Sequence, residues 1–319
     1  MAESPLVIQT EELSPEAAAW LGERCRHVVC GIDDPRFGEL IESAEGLVVR
    51  TYTDVNDRLL DRAPRLRVVG RAGVSLANID VEACNRRGVA VVHTPDSNTQ
   101  AVVEYVLALA LDATRPRVFL YEPVDLRNWR DIREEMITPR QLSDMTIGVW
   151  GVGRIGARVS EVFGAIGARV LGHDIRDVGS VACEMVDRDT LLRESDLVTI
   201  HIDDRPANKR VVGSEAFGLL KHDAVVINAS RGYVLDTEAL ADWLKEHPAG
   251  QAVIDVHDPE PFTGEYPLLH LENAHLSPHL ASAAKTAKLN MSWVVRDVWR
   301  VLSGEQPEYR AMGQTGAGR

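Results

Sequence analysis

The stretch Gly148-Val-Trp-Gly-Val-Gly-Arg-Ile-Gly156, followed by Ala168-Arg-Val-Leu-Gly-His-Asp174, decides the reading of this chain. It spells strand, glycine turn, helix and strand, ending in an acid. Gly151 permits the tight turn, Gly153 lets a pyrophosphate approach the backbone, and Gly156 lets the helix pack on the strand. The helix opens at Arg154 and Ile155, and its first N–H groups and dipole face the phosphates. Asp174 follows Gly156 by 18 residues, at the end of the second strand. A carboxylate there takes both hydroxyls of an adenosine ribose. The pattern predicts a dinucleotide site.

Length and charge bound the rest. At 319 residues the chain is long for one core, and two domains of about 150 residues are expected. Hydrophobic residues at 45% and charged residues at 26% describe an ordinary globular protein. A net charge of -13 argues against nucleic-acid binding, which wants a basic surface. Cys25, Cys30, Cys84 and Cys183 form no CxxC pair, and no histidine cluster has metal-ligand spacing. Buried unpaired thiols and no metal are therefore expected. The opening MAESPLVIQTEELS has neither a basic start nor an apolar core of signal-peptide length, and no run approaches a membrane span. A cytoplasmic protein with no membrane partner is expected.

The first hundred residues alternate β-rich runs (6–9, 28–30, 46–50, 66–70, 89–93) with helical patterns (15–24, 55–63, 81–87). This alternation predicts parallel α/β structure without a glycine fingerprint of its own. A long apolar helix over 98–112 precedes a polar, Arg-rich stretch over 114–144. Strands are then expected at 146–150, 169–173, 197–202, 224–228, 252–257 and 274–276, and one helix over 281–302 stopped by Ser303-Gly304. Residues 314–319 read as a disordered tail.

Three segments lie where such a sheet puts its ligand, at the carboxyl ends of strands. They are Val226-Ile-Asn-Ala-Ser-Arg-Gly232, Val253-Ile-Asp-Val-His-Asp-Pro-Glu-Pro261 and Leu276-Ser-Pro-His279. An arginine, an acid and a histidine suit hydride chemistry at a carbinol carbon. Histidine removes the hydroxyl proton near neutral pH, and a carboxylate beside it raises its pKa and orients its ring. An arginine grips a carboxylate in a fork and polarises the adjacent carbonyl. Asp255, Asp258 and Glu260 are all candidates for the acid, and Arg231 alone could cap a helix or pair with Asp236.

At these residues the chain resembles the D-isomer-specific 2-hydroxyacid dehydrogenases, which include phosphoglycerate, D-lactate and glyoxylate/hydroxypyruvate dehydrogenases. The match is carried in order by Gly70-Arg-Ala-Gly-Val74 with Asn78-Ile-Asp80, 151–156, 228–232, 255–261 and Ser277-Pro-His279. The resemblance implies two doubly wound parallel-sheet α/β domains. One is a Rossmann NAD-binding domain over 106–284, and the other a flavodoxin-like substrate domain split over 1–105 and 285–319. It implies an NAD-dependent oxidoreductase acting on a small 2-hydroxy or 2-keto acid, usually a homodimer formed through the NAD-binding domain. Arg231 would bind substrate, Glu260 would partner the histidine and His279 would carry the proton. The spacing of Glu260, 29 residues after Arg231 and 19 before His279, favours it over the other acids. Asp255 would accept from the nicotinamide carboxamide. His201, Ala229 and Ser230 would join Gly151, Gly153, Arg154, Ile155, Gly156 and Asp174 around the cofactor. Gly73, Val74 and Ser75 would hold the substrate carboxylate, and Arg50 and Tyr52 would read its far end.

The chain also departs from the family pattern. His201-Ile-Asp-Asp-Arg-Pro206 replaces the usual His-x-Pro-Leu-Thr-Pro, so Asp203 and Asp204 should add repulsion toward a 2′-phosphate. His257 replaces an aromatic, and Ala77-Asn78 replaces Asp-Asn. One branch of the family is a redox-sensing corepressor that keeps the same residues. An NAD(H)-sensing binding protein is therefore the alternative function.

Overall fold

Runs such as Gly46–Val49, Leu197–Ile200 and Val225–Asn228 are buried at every residue, as strands covered on both faces must be. A computed structural model describes residues 4–203 and 205–311 and sets these runs in two sheets. Asp204 and the tail at 314–319 lie outside the described residues. Contacts divide the chain into Met1–Asn98 with Ala283–Arg319, and Thr99–Ser282. The expected boundary after 105 would cut a continuous helix, Thr99–Thr114, whose strongest packing partners belong to the second unit. The division therefore falls before that helix.

In the first unit, strands β1 (Leu6–Gln9), β2 (Arg26–Val29), β3 (Gly46–Val49), β4 (Val68–Arg71) and β5 (Ala90–His93) pair in parallel in the order β5-β4-β3-β1-β2. This is the flavodoxin-like order. A short strand, Arg310–Ala311, adds antiparallel to β5. Ser14, Asn56 and Asp80 accept first-turn N–H groups of helices α1 (Pro15–Gly22), α3 (Asp57–Leu60) and α4 (Val81–Arg86). Helix α2 (Phe37–Ser43) was not expected. Its seven residues bury only Phe37 and Ile41, too few to show a helical period in the sequence.

In the second unit, β6 (Thr146–Trp150), β7 (Arg169–His173), β8 (Glu184–Met185), β9 (Leu197–Ile200), β10 (Val225–Asn228), β11 (Gln251–Ile254) and β12 (Ala274–Leu276) pair in parallel. Their order, β12-β11-β10-β9-β6-β7-β8, is the doubly wound dinucleotide-binding order with one added strand. Alternate residues feed the two layers. Val226 joins Phe217 and Trp243 on one face, while Val225 and Ile227 join Val106 and Phe163 on the other. Helices α5 (Thr99–Thr114), α7 (Arg154–Ile166), α8 (Arg188–Glu194), α9 (Ser214–Phe217) and α10 (Thr237–Glu246) cover the sheet. Between α5 and β6, the polar, Arg-rich stretch forms α6 (Leu126–Glu135), capped by Asp125 and burying none of its side chains.

The single terminal helix expected over 281–302 is two helices in the first unit, α11 (Lys285–Ser292) and α12 (Val295–Ser303). The start moves to 285 because the N–H groups of Leu280 and Ala281 are held by the Asp255 carboxylate. The break arises where Trp293, Val294 and Arg296 bond three residues back, tightening the helical ladder. Among the described residues no helix is long and apolar enough to cross a membrane, and no cluster of His, Cys, Asp and Glu is arranged to hold a metal. All four cysteines are unpaired. Cys183 is only half-buried, at the sheet edge beside Met185, unlike the buried thiol expected there.

Candidate active site

The glycine turn closes as its sequence demands. Gly151 adopts φ 96°, and a Cβ on Gly156 would stand 2.0 Å from the Gly151 carbonyl oxygen. No side chain caps α7, whose N-cap is Gly153. Five other helices carry an Asp or Asn cap, so the bare start of α7 leaves its first-turn N–H groups available to an anion. Arg154 is the exposed first residue of α7, and Ile155 behind it is half-buried.

Asp174 stands just beyond β7 with its side chain 7% exposed. It accepts from the Val152 N–H at 3.0 Å, which ties it to the glycine turn, and from the Arg176 N–H at 3.0 Å and Nε at 3.1 Å. Burial pushes its carboxyl up, but the Arg176 and Val152 bonds outweigh this and hold it below the usual carboxylate range. Asp203 is likewise paired, with Arg205. The added repulsion expected from Asp203 is therefore met by a guanidinium. His201, beyond β9, bonds Thr199 Oγ1 through Nε2 at 2.9 Å, and its buried Nδ1 has no partner. Burial pushes its pKa down to about 4, so it is neutral at physiological pH.

The three chemical segments leave adjacent strands, β10, β11 and β12. Asn228, fully buried at the end of β10, shapes the first. Its Oδ1 accepts from the N–H and hydroxyl of Ser230, and its Nδ2 donates to the Arg231 carbonyl at 3.0 Å. Ala229 is buried within this turn, and Arg231 is half-buried, donating to the Ser230 carbonyl at 2.7 Å. A Cβ on Gly232 would lie 2.0 Å from the His257 backbone, so only glycine brings the second segment this close. Glu260 there accepts from the His257 N–H at 2.7 Å with one oxygen and meets His279 Nδ1 at 2.8 Å with the other. Asp258 is an exposed loop charge.

His279 adopts φ 55°, a left-handed conformation that costs a non-glycine residue about 1–2 kcal/mol. Its N–H, bonded to the Asp255 carbonyl at 2.8 Å, holds it there. The Glu260 bond raises the His279 pKa above its ordinary value against the opposing effect of burial. The Glu260 and Asp255 charges add to the rise, while the nearby Arg231 charge works against it. For Glu260 burial pushes upward, and the bonds to His279 and His257 outweigh it, keeping the carboxyl ionised. Electrostatics therefore couples Arg231, Glu260 and His279 at three neighbouring strand ends.

Asp255, fully buried, accepts from Ser277 Oγ at 2.6 Å and from the Leu280 and Ala281 N–H groups at 2.8 Å each. Three of a carboxylate's roughly four acceptor positions are thus engaged in fixing the turn that carries His279. His257 sits buried against Phe262 and Tyr266 and bonds the Tyr266 hydroxyl at 3.1 Å and the Ser277 carbonyl at 2.9 Å. It ties the Glu260 loop to the His279 loop. Neither this tie nor the work of Asn228 and Tyr266 was read from the sequence; the one signal available was the histidine in an aromatic's place.

In the first unit, Gly73, Val74 and Ser75 form the turn after β4. The Gly73 N–H is engaged by the Arg71 carbonyl, and the Val74 carbonyl bonds His93 Nδ1 at 3.1 Å. Arg50 and the 88%-exposed Tyr52 follow β3. Asn78 links the two turns, donating to the carbonyls of Arg50 at 3.1 Å and Thr53 at 2.7 Å.

A dinucleotide suits the second unit on three counts: the glycine cradle that a Cβ would fill, the uncapped start of α7, and the partnerless Nδ1 of His201. Residues 107–281 match the family model described as D-isomer specific 2-hydroxyacid dehydrogenase, NAD binding domain. A glyoxylate reductase from Aeropyrum pernix is 33% identical over 305 residues, covering 92% of this chain and 91% of that protein. A D-3-phosphoglycerate dehydrogenase from Synechocystis is 31% identical over 269 residues, covering 83% of this chain and 48% of that protein. The chain spans about half the length of the curated phosphoglycerate dehydrogenases it matches. A crystal structure of a protein from Thermus thermophilus, 29% identical, superposes with a TM-score of 0.81 over 96% of this chain and 100% of that one. With its fold, its glycine turn and its three strand-end segments all in family order, the chain belongs to the D-isomer-specific 2-hydroxyacid dehydrogenases and carries that family's NAD-binding domain.

Proposed function

We propose that the protein is an NAD-dependent oxidoreductase acting at C2 of a small D-2-hydroxy or 2-keto acid. The observation that carries this reading is the 2.8 Å contact of His279 with Glu260, within reach of the Arg231 charge. Glu260 engages Nδ1, which leaves Nε2 of His279 to face substrate. In reduction the imidazolium gives its Nε2 proton to the substrate oxygen, and in oxidation the neutral ring takes the hydroxyl proton. Arg231 holds the substrate carboxylate and polarises the neighbouring carbonyl. Bound nicotinamide supplies or accepts the hydride. The residues that would hold it are Gly151, Gly153, Arg154, Ile155 and Gly156 at the pyrophosphate, Asp174 at the ribose, His201, Ala229 and Ser230 alongside, and the one acceptor position left on Asp255.

Val74 and Ser75, in the turn begun by Gly73, would grip the substrate carboxylate, and Arg50 and Tyr52 its far end. The relatives' names, glyoxylate reductase and phosphoglycerate dehydrogenase, bracket a range from the smallest keto acid to one with a second anionic group. A cytoplasmic homodimer formed through the second unit completes the reading. It is supported by the exposed Phe119, Leu120, Tyr121, Leu126, Trp129 and Ile137 around α6, beside a groove of about 550 Å³.

The test follows the absorbance of reduced cofactor over a panel of 2-keto acids. Wild-type protein should turn over at least one of them, and His279→Ala should lose roughly 10²- to 10⁴-fold in turnover while still binding cofactor. A variant retaining a tenth of the activity would make His279 structural. If the wild type consumed no acid on the panel, the fold would be serving as a nucleotide-sensing binding protein.

A further inference from the structure

His257 is buried where the three strand-end segments meet. Its backbone N–H donates to one Glu260 oxygen at 2.7 Å, and its ring Nε2 lies 2.9 Å from the Ser277 carbonyl. That same carbonyl accepts the His279 backbone N–H at 3.1 Å. Gly232, next to Arg231, lies so close to the His257 backbone that a Cβ there would come within 2.0 Å. One residue thus anchors both sides of the 2.8 Å bond between Glu260 and His279.

The partners of the ring fix which nitrogen carries the hydrogen. A carbonyl only accepts, so Nε2 is the donor. In the neutral ring Nδ1 then offers a lone pair, and the Tyr266 hydroxyl donates to it at 3.1 Å. Tyr266 is itself buried and stacks on Phe262 with ring centroids 4.8 Å apart, and both rings meet His257 edge-on. The imidazole is therefore held by a donor on one side, an acceptor on the other and two aromatic neighbours. Filling the space would need none of these buried polar atoms, each of which costs desolvation. The left-handed turn at His279, with φ 55°, needs such outside constraint to persist.

We propose that His257 is a positioning residue whose ring, braced by Tyr266, holds the Ser277–His279 turn in register with the Glu260 loop. All of these residues lie in the second unit. The inference rests on the reading of His279 and Glu260 as the proton-transfer pair, and it adds the side chain that keeps the two together.

The experiment removes the polar atoms of the ring and keeps its flat shape. His257→Phe loses both side-chain bonds, while the backbone N–H to Glu260 stays. Combining it with Tyr266→Phe removes the hydroxyl stranded in the core and covers the case in which the single variant does not fold. With sites counted by cofactor titration, kcat on the best keto acid should fall about tenfold, the effect of one lost hydrogen bond, and KM should stay within about twofold. The alkaline limb of the reduction profile should move to lower pH, because a Glu260 in place only part of the time raises the His279 pKa less. A change in folding alone would leave that limb where it is. His257→Gln, whose amide can donate to Ser277 and accept from Tyr266, should recover part of both kcat and the limb. Full kcat per site in the double variant, or a fall with no movement of the limb, overturns the inference. Titrating the His279 ring by NMR in isotope-labelled protein separates this role from the catalytic reading, the signal being identified by its loss in His279→Ala. If the wild type reduces no keto acid yet the His257 variants lower the His279 pKa, the catalytic reading fails and the positioning role stands. An unmoved titration removes the positioning role whatever the turnover.

Discussion

At the residue scale, the proposed chemistry turns on a single proton position. His279 is drawn upward in pKa by Glu260 and pushed back by Arg231. The imidazolium is the form that reduces a keto acid, so reduction should persist to a pH above the ordinary histidine range and decline as pH passes the raised pKa. Glu260→Gln removes the upward pull and leaves the Arg231 charge, so the alkaline limb of the reduction profile should move to lower pH. A pH–rate profile reads this directly, and an unmoved limb would dismiss Glu260 as the partner. The placement of His279, Glu260 and Arg231 at neighbouring strand ends was legible in the sequence because each stands in a short motif after a strand. The ring contacts of His257 were not, because nothing in its own segment shows the Tyr266 hydroxyl or the Ser277 carbonyl until the fold brings them to it.

Cofactor choice belongs to the ends of β7 and β9, where two acid–arginine pairs stand side by side, Asp174 with Arg176 and Asp203 with Arg205. With Asp203 paired, the proposed reading rests discrimination against a 2′-phosphate on Asp174, whose carboxylate also occupies Arg176. NAD(H) should be preferred, and Asp174→Ala should release Arg176 and narrow the ratio of kcat/KM values by about tenfold or more. A wild-type preference for NADP(H), or an unaltered ratio in the variant, would remove Asp174 from this role. The glycine turn was readable because Gly151 and Gly156 leave no room for any other residue. Helix α6 was not, since a helix that buries none of its side chains shows no apolar face turned to its own fold. The terminal pair α11 and α12 read as one helix because the tightened turn at 293–296 breaks no hydrophobic pattern.

The exposed apolar side chains around α6 make a prediction about the whole molecule. The protein should sediment at twice the mass of its 319-residue chain, and replacing Phe119 and Tyr121 by serine should shift it toward the monomer. A monomeric wild type would assign that surface another occupant.

The division of the chain has a further consequence, in the order of synthesis. The second unit is one uninterrupted run, Thr99–Ser282, whereas the first is assembled from segments on either side of it. Strands β1 to β5 are made first, but Val298 of α12 packs over Gly70 of β4, and Arg310–Ala311 flanks β5. At about 5–20 residues per second, the ribosome needs roughly ten to forty seconds to translate the intervening unit. Throughout that interval the older sheet waits for α12 and for Arg310–Ala311, so strands made before the intervening unit are completed only after it and stay open to association until then.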